Sequence, residues 1–256
     1  MKIGFIGLGK MSTAIIRGLK NTSFEIIAAG RDPQKTAQDA EQLGITAISE
    51  HQALIEQADL IILGVKPQVL PSITAKLHFR QPVISMAAGI SLNRLAELID
   101  DKLPLIRIMP NINAQILESS TAICGNDKVD AGLMDLAKEI TNSFGRTFDI
   151  AEKDFDTFTA LAGSGPAYIY LFIETLSLAG VKHGLTKNQA LDIVSHTMLA
   201  SVQNLIANND SPHDLIDKIS SPGGTTIAGL LELEKNGLTT SVIAGIDAAI
   251  DRAKKL

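Results

Sequence analysis

The 256-residue sequence contains one cysteine, Cys124, which excludes a disulfide framework and a thiolate-held metal. Cys124 ends the apolar stretch Thr121–Cys124 with no adjacent basic partner, so it reads as a buried spectator rather than a nucleophile. The five histidines are scattered and none forms a ligand pair at helical spacing, so no metal is expected. Positive charge is also short. Lys and Arg total 23 against 28 Asp and Glu, and the net charge of -5 argues against a nucleic-acid partner, whose phosphates need a basic face. No apolar run approaches the roughly 20 residues that span a bilayer, so no membrane is expected. Lys2–Gly7 reads as a strand from the start, with no basic and apolar leader, and the expected compartment is the cytoplasm.

What is present is the composition of a globular protein, 45% hydrophobic and 20% charged, at a length that suits two domains. Through residues 1–150, strand-like runs alternate with amphipathic stretches. Strands read at 2–6, 25–29, 45–48, 60–64, 83–86, 105–109, 120–124 and 146–149, with helices at 33–43, 92–99 and 131–143 among them. Leu60-Ile61-Ile62-Leu63 is apolar on both faces, as a central parallel strand covered by helices requires. The fold class is therefore α/β, an N-terminal Rossmann-type doubly wound parallel sheet. Residues 151–256 show no strand and read as an all-helical second domain. There Ser164 stands as a plausible N-cap ahead of Gly165-Pro166, and Ala167–Ile173 is apolar around nearly its whole circumference. Such a helix must be enclosed. The remaining chain is thin for that, which favours a helix-exchanging homodimer over a central helix in a monomeric bundle.

The first strand runs into Gly7-Leu8-Gly9-Lys10-Met11-Ser12 and then a helix. Gly7 permits the tight turn, Gly9 admits the pyrophosphate of a dinucleotide, and amides at the helix N-terminus meet its charge. Ser12 stands in the third glycine position, still small. Where the second strand ends, an NAD enzyme places an acid for the ribose; here stand Gly30 and Arg31, with Lys35 one turn on. Two cations suit a 2′-phosphate and favour NADPH over NADH. Asp32 reads as the N-cap of the helix begun by Pro33. The ends of strands four and five, Gly64-Val65-Lys66-Pro67 and Met86-Ala87-Ala88, should line the same crevice. Asn111 fits either a contact to the carboxamide of the nicotinamide or the start of a turn.

Far along the chain, Ser220-Ser221-Pro222-Gly223-Gly224-Thr225-Thr226 opens another helix. Two glycines followed by hydroxyls make an anion site from backbone amides, fit for a substrate carboxylate. A capped helix start with no ligand fits the same residues, and the pattern leaves both open.

Taken together, Gly7-Leu8-Gly9-Lys10-Met11, Val65-Lys66-Pro67, Met86-Ala87-Ala88-Gly89, Met109-Pro110-Asn111, the run Leu161–Tyr168 and Ser221-Pro222-Gly223-Gly224-Thr225-Thr226 closely resemble the pyrroline-5-carboxylate reductase family over nearly the whole chain. The resemblance implies NADPH-dependent reduction of pyrroline-5-carboxylate to proline, the last step of proline synthesis. It implies NADPH contacts from Ile6, Gly7, Leu8, Gly9, Lys10, Met11, Gly64, Val65, Lys66, Pro67, Met86, Ala87 and Ala88. Thr225 and Thr226 would hold the pyrroline carboxylate and ring nitrogen, with Ser221 nearby, and Thr226 is the candidate catalytic hydroxyl. Glu152 matches a position that some members place near the ligands. His51 departs from a frequent Asn near the adenine ribose. The resemblance also implies dimers through the C-terminal helices, often five to a ring. A 3-hydroxyacid or 6-phosphogluconate type dehydrogenase shares the opening, but such enzymes depend on a lysine early in the interdomain helix, and Thr159–Ile173 contains none. A non-catalytic NADP-binding sensor is the alternative of another class.

Overall fold

The apolar runs of the first half become eight strands of one sheet: β1 (Lys2–Ile6), β2 (Glu25–Ala29), β3 (Thr46–Ala47), β4 (Leu60–Leu63), β5 (Val83–Ser85), β6 (Leu105–Met109), β7 (Ser119–Gly125) and β8 (Gly145–Asp149). Helices α1 (Lys10–Leu19), α2 (Pro33–Leu43), α3 (His51–Gln57), α4 (Leu70–Thr74), α5 (Leu92–Leu98) and α6 (Ala131–Asn142) lie between them. This computed structural model describes residues 1–255. The chain forms two compact units, Met1–Gly163 together with residues from Ile250 onward, and Ser164–Ala249.

Spatial order in the sheet is β3-β2-β1-β4-β5-β6-β7-β8. Strands β1 to β6 pair in parallel. β4 sits inside the sheet as its composition requires: Leu60 and Ile62 join the core on one face, Ile61 and Leu63 the core on the other, and all four are fully buried. The order reverses between β1 and β4, so the crevice beyond their carboxyl ends is the switch point where such sheets take ligands.

Two details differ from the expected parallel sheet. β7 runs antiparallel to β6, because Pro110–Glu118 holds only a 3-10 turn and is too short for a crossover, which takes about a dozen residues. β8 then pairs parallel to β7 after α6, so both run against the other six strands. β3 shrinks to two residues at the sheet edge, where Thr46 is exposed.

After β8 no further strand occurs among the described residues. The short helix α7 (Phe155–Phe158) passes through a π-helical turn, Thr159–Gly163, toward α8 (Gly165–Lys182). Ser164 stands between that turn and α8 with helical dihedrals, and its side chain makes no cap bond to α8, contrary to the expectation for it. Beyond α8 lie α9 (Lys187–Ala207), α10 (Pro212–Ile219), α11 (Thr225–Lys235) and α12 (Leu238–Ala253). Capping boxes start α9, from Thr186 and Gln189, and α10, from Ser211 and Asp214. α8 and α9 pack closely, with Gly180 so near Ala190 that a Cβ there would meet the alanine methyl at 2.9 Å. The chain does not enclose α8. Ile169, Tyr170 and Leu171 are 51%, 59% and 66% exposed.

Candidate functional site

Three strand ends are tied together at the switch point. Gly7 N donates to Ala29 O at 2.8 Å, and Gly64 N donates to Ile6 O at 2.9 Å. Gly7 has φ +96°, and a Cβ there would lie 2.8 Å from the Gly64 carbonyl oxygen, so only glycine fits the turn. Gly9 follows as the residue ahead of α1, with no side chain capping the helix and open space around the place of a Cβ. An uncapped helix N-terminus behind an open glycine is the cradle that a pyrophosphate requires. Ser12 is buried, and its hydroxyl donates to Gly7 O at 2.7 Å, locking the loop onto the first turn.

A cavity of 840 Å³ opens beside this loop. Of the expected cofactor residues it gathers Gly7, Leu8, Gly9, Arg31, Lys35, His51, Val65 and Lys66. Asp32 accepts from the backbone of Gln34 and Lys35 at 3.0 and 3.1 Å, as the expected N-cap of α2. Lys35 Nζ lies 2.7 Å from Asp39. Partial burial lowers the pKa of the His51 imidazole by disfavouring its charged form. Thr36 is a supporting residue that no motif marks: its hydroxyl donates to Asp32 O at 2.7 Å, and it sits where a Cβ on Gly30 would be.

Other expected residues lie outside this cavity. Lys10 lines an adjoining 820 Å³ cavity with Arg17 and Lys20, which shares Leu8, Gly9, Lys35 and Asp39 with the first. Ile6 is fully buried, so only its backbone can meet a ligand. Met11 and Met86 pack against the core on the α1 face, while Ala87 belongs to the core on the opposite face. Gly64 faces the Ser12 hydroxyl, which a Cβ would strike, and Pro67 and Ala88 are half-buried at their strand ends. None of these lines the 840 Å³ cavity. Asn111 starts a turn: its Oδ1 accepts from Asn113 N at 3.1 Å and its Nδ2 donates to Ala162 O at 2.9 Å.

Glu152 also has definite partners. Its Oε1 accepts from Leu92 N at 2.6 Å and from Arg107 Nη1 at 3.2 Å. The Arg107 guanidinium, nearly buried, lies 4.5 Å over the Phe155 ring. Beside this pair burial pushes the Cys124 thiol up to about 12, with the Glu152 charge acting in the same direction. It is therefore an unreactive thiol. Among the described residues no cluster of three or more potential metal ligands occurs, and no helix is long and apolar enough to cross a membrane.

In the second unit the head of α11 repeats the glycine device. Gly223 has φ +68°, Gly224 N donates to Ser221 O at 3.0 Å, and Gly224 is the uncapped residue ahead of the helix. A Cβ on Gly224 would strike the Ser221 hydroxyl. Thr225 and Thr226 occupy the first turn, Thr225 exposed and Thr226 half-buried.

Comparison with known proteins decides the lineage. A pyrroline-5-carboxylate reductase of Aquifex aeolicus is 33% identical over 258 aligned residues, covering 100% of this chain and 97% of the relative. The chain belongs to the pyrroline-5-carboxylate reductase family. Residues 152–256 match the family model described as pyrroline-5-carboxylate reductase dimerisation, and residues 2–89 match one described as NADP oxidoreductase coenzyme F420-dependent. The 1-pyrroline-5-carboxylate reductase structure of Streptococcus pyogenes is 59% identical with a TM-score of 0.95, covering 100% of this chain and 99% of that one. The Plasmodium falciparum pyrroline carboxylate reductase, solved with NADP bound, is 31% identical with a TM-score of 0.86 and covers 100% and 97%.

Proposed function

We propose that this chain reduces L-1-pyrroline-5-carboxylate to L-proline with NADPH, the last step of proline biosynthesis, with NADH a weaker donor. The observation that carries the reading is Gly223-Gly224-Thr225-Thr226 heading α11 as an uncapped helix start, in a member of this family matched along its whole length. When bound, the nicotinamide supplies a hydride from C4 to C5 of the cyclic imine, and a proton is taken up at the ring nitrogen.

The residues of the chain bind and orient. Gly7–Gly9 and the first amides of α1 take the pyrophosphate, and Arg31 stands at the 2′-phosphate. The turns Gly64–Pro67 and Met86–Ala88 shape the floor beneath the dinucleotide. The α11 amides take the substrate carboxylate, with Ser221 and Thr225 beside it. The Thr226 hydroxyl hydrogen-bonds the ring nitrogen and relays a proton to it from water. Alignment of the two reactants supplies most of the acceleration. Glu152 positions the start of α5 through the bonds of its Oε1 to Leu92 N and Arg107, which leave Oε2 for the substrate side.

In this reading residues 1–150 are the NADP-binding domain and 151–256 the substrate-binding and dimerisation domain. The protein works as a homodimer through its C-terminal helices, supported by the dimerisation model and the exposed apolar side chains of α8. A ring of dimers in the cytoplasm is the larger assembly and compartment that go with it.

The test is consumption of NADPH by the purified protein with pyrroline-5-carboxylate, beside 3-hydroxyacids with NADP as controls. Turnover of the imine with formation of proline is expected. NADPH binding without turnover of the imine, or turnover of the hydroxyacids, contradicts the reading.

A further inference from the structure

The 840 Å³ cavity has one wall that carries none of the recognised motifs. Past the Gly64–Pro67 turn, Val69, Ser72, Ile73 and Lys76 line it. Their spacing, i, i+3, i+4 and i+7, places them on one face of α4 and its flanking turns. Backbone bonds continue the helical path through both ends: Ile73 N donates to Val69 O, and Lys76 N to Ile73 O, each at 3.2 Å. The stripe is apolar at Val69 and Ile73 and cationic where it ends.

Val65 precedes it and touches the phosphate loop. A Cβ on Gly7 would lie 2.8 Å from Val65 Cγ1. The stripe begins four residues after Val65 and spans about 10 Å from residue 69 to residue 76 at ~1.5 Å per residue, enough to flank the adenosine half of a dinucleotide whose pyrophosphate sits on α1. Arg31 and Lys35 line the same cavity from the β2 side, and in the sheet β2 and β4 flank β1 on either side. Lys35 is partnered by Asp39 at 2.7 Å. Arg31 and Lys76 form no ion pair among the described residues.

We propose that Lys76 is a specificity-determining residue for the phosphorylated dinucleotide. Its ammonium and the Arg31 guanidinium take the 2′-phosphate from the two walls, and Val69 and Ile73 give the adenine ring an apolar platform. A phosphate dianion gains from a second cation and a ribose hydroxyl does not, so the contribution of Lys76 is selective. Lys35 contributes less, because Asp39 already offsets its charge. This proposal rests on the reading of the cavity as the cofactor site.

The test is calorimetric titration of the full-length protein with 2′,5′-ADP and with 5′-ADP. Lys76→Met should weaken 2′,5′-ADP about tenfold and 5′-ADP by less than about twofold, and Lys35→Met should discriminate less. Lys76→Arg should restore most of the loss, since it returns the charge. Equal weakening of both nucleotides by Lys76→Met, or no weakening, overturns the proposal. Arg31→Met separates this from failure of the underlying reading. If it discriminates between the nucleotides while Lys76→Met does not, the cavity binds the cofactor and Lys76 is a bystander. If neither variant alters the binding of either nucleotide, the cavity is not the cofactor site and both readings fall.

Discussion

Thr226 stands in the first turn of a helix that no side chain caps, where a hydroxyl can serve a ligand without giving up a structural bond. Thr226→Ala should cost roughly 1–3 kcal/mol of transition-state stabilisation, read as kcat/KM for the imine, with an unchanged melting temperature. Unchanged kcat/KM would remove Thr226 from the mechanism. His51 sits in the cofactor cavity with its pKa lowered by burial. The unfolded chain then binds this proton more tightly than the folded one. The stability that neutral His51 preserves is present above the unfolded pKa of about 6.5 and is lost as pH falls below it. Between about pH 8 and pH 5 the wild type should therefore lose more thermal stability than His51→Gln, as melting curves at each pH will show. Parallel losses would mean that His51 titrates alike in both states. Several residue roles were legible in order of residue type alone. Gly7 with its positive φ, and Asp32 on the amides of Gln34 and Lys35, do what a glycine turn and an N-cap require. Lys35 was legible as a cation near the ribose but not as the partner of Asp39, since a lysine four residues before an acid can point either way.

At the scale of elements, Glu152 links three segments. Its carboxylate meets the first amide of α5 and the nearly buried Arg107 of β6, while Phe155 of α7 lies under the guanidinium. Glu152→Gln keeps an acceptor for Leu92 N but removes the charge facing Arg107. A loss of about 1.5–3 kcal/mol in denaturant unfolding is expected, the range for hydrogen bonds to charged groups. An unfolding midpoint equal to that of the wild type would show that the pair contributes nothing to the fold. The strands and the major helices of the first half could be read from apolar runs and periodicity, and β4 most plainly, because it is apolar on both faces. The reversal of β7 could not, since strand direction depends on what the connection can span and not on strand composition. The face of α4 was missed because its apolar and cationic positions form a stripe too short to stand out as an amphipathic helix. Glu152 and Arg107, 45 residues apart, meet only through the fold.

For the whole molecule, the exposed apolar residues of the second unit are the dominant feature. Tyr168, Ile169, Tyr170, Leu171 and Phe172 are all at least 40% exposed in the single chain, a run that a soluble surface does not carry uncovered. Leu171→Arg should place a charge in the subunit contact and shift the protein from dimer to monomer in sedimentation, with loss of activity following. A dimer that survives this change would place the contact elsewhere. The circumferentially apolar helix was legible in the sequence as something needing cover, and the thinness of the remaining chain pointed to a second copy; the size of the assembly was not legible, because packing between dimers leaves no separate mark in composition. Passage of hydride from NADPH to C5 of a cyclic imine is tested most directly by reduction of pyrroline-5-carboxylate with NADPH deuterated at C4 on the transferred face, followed by NMR of the product. Proline carrying one deuterium at C5 is the predicted result. Proline without deuterium at C5, or no proline at all, would contradict it.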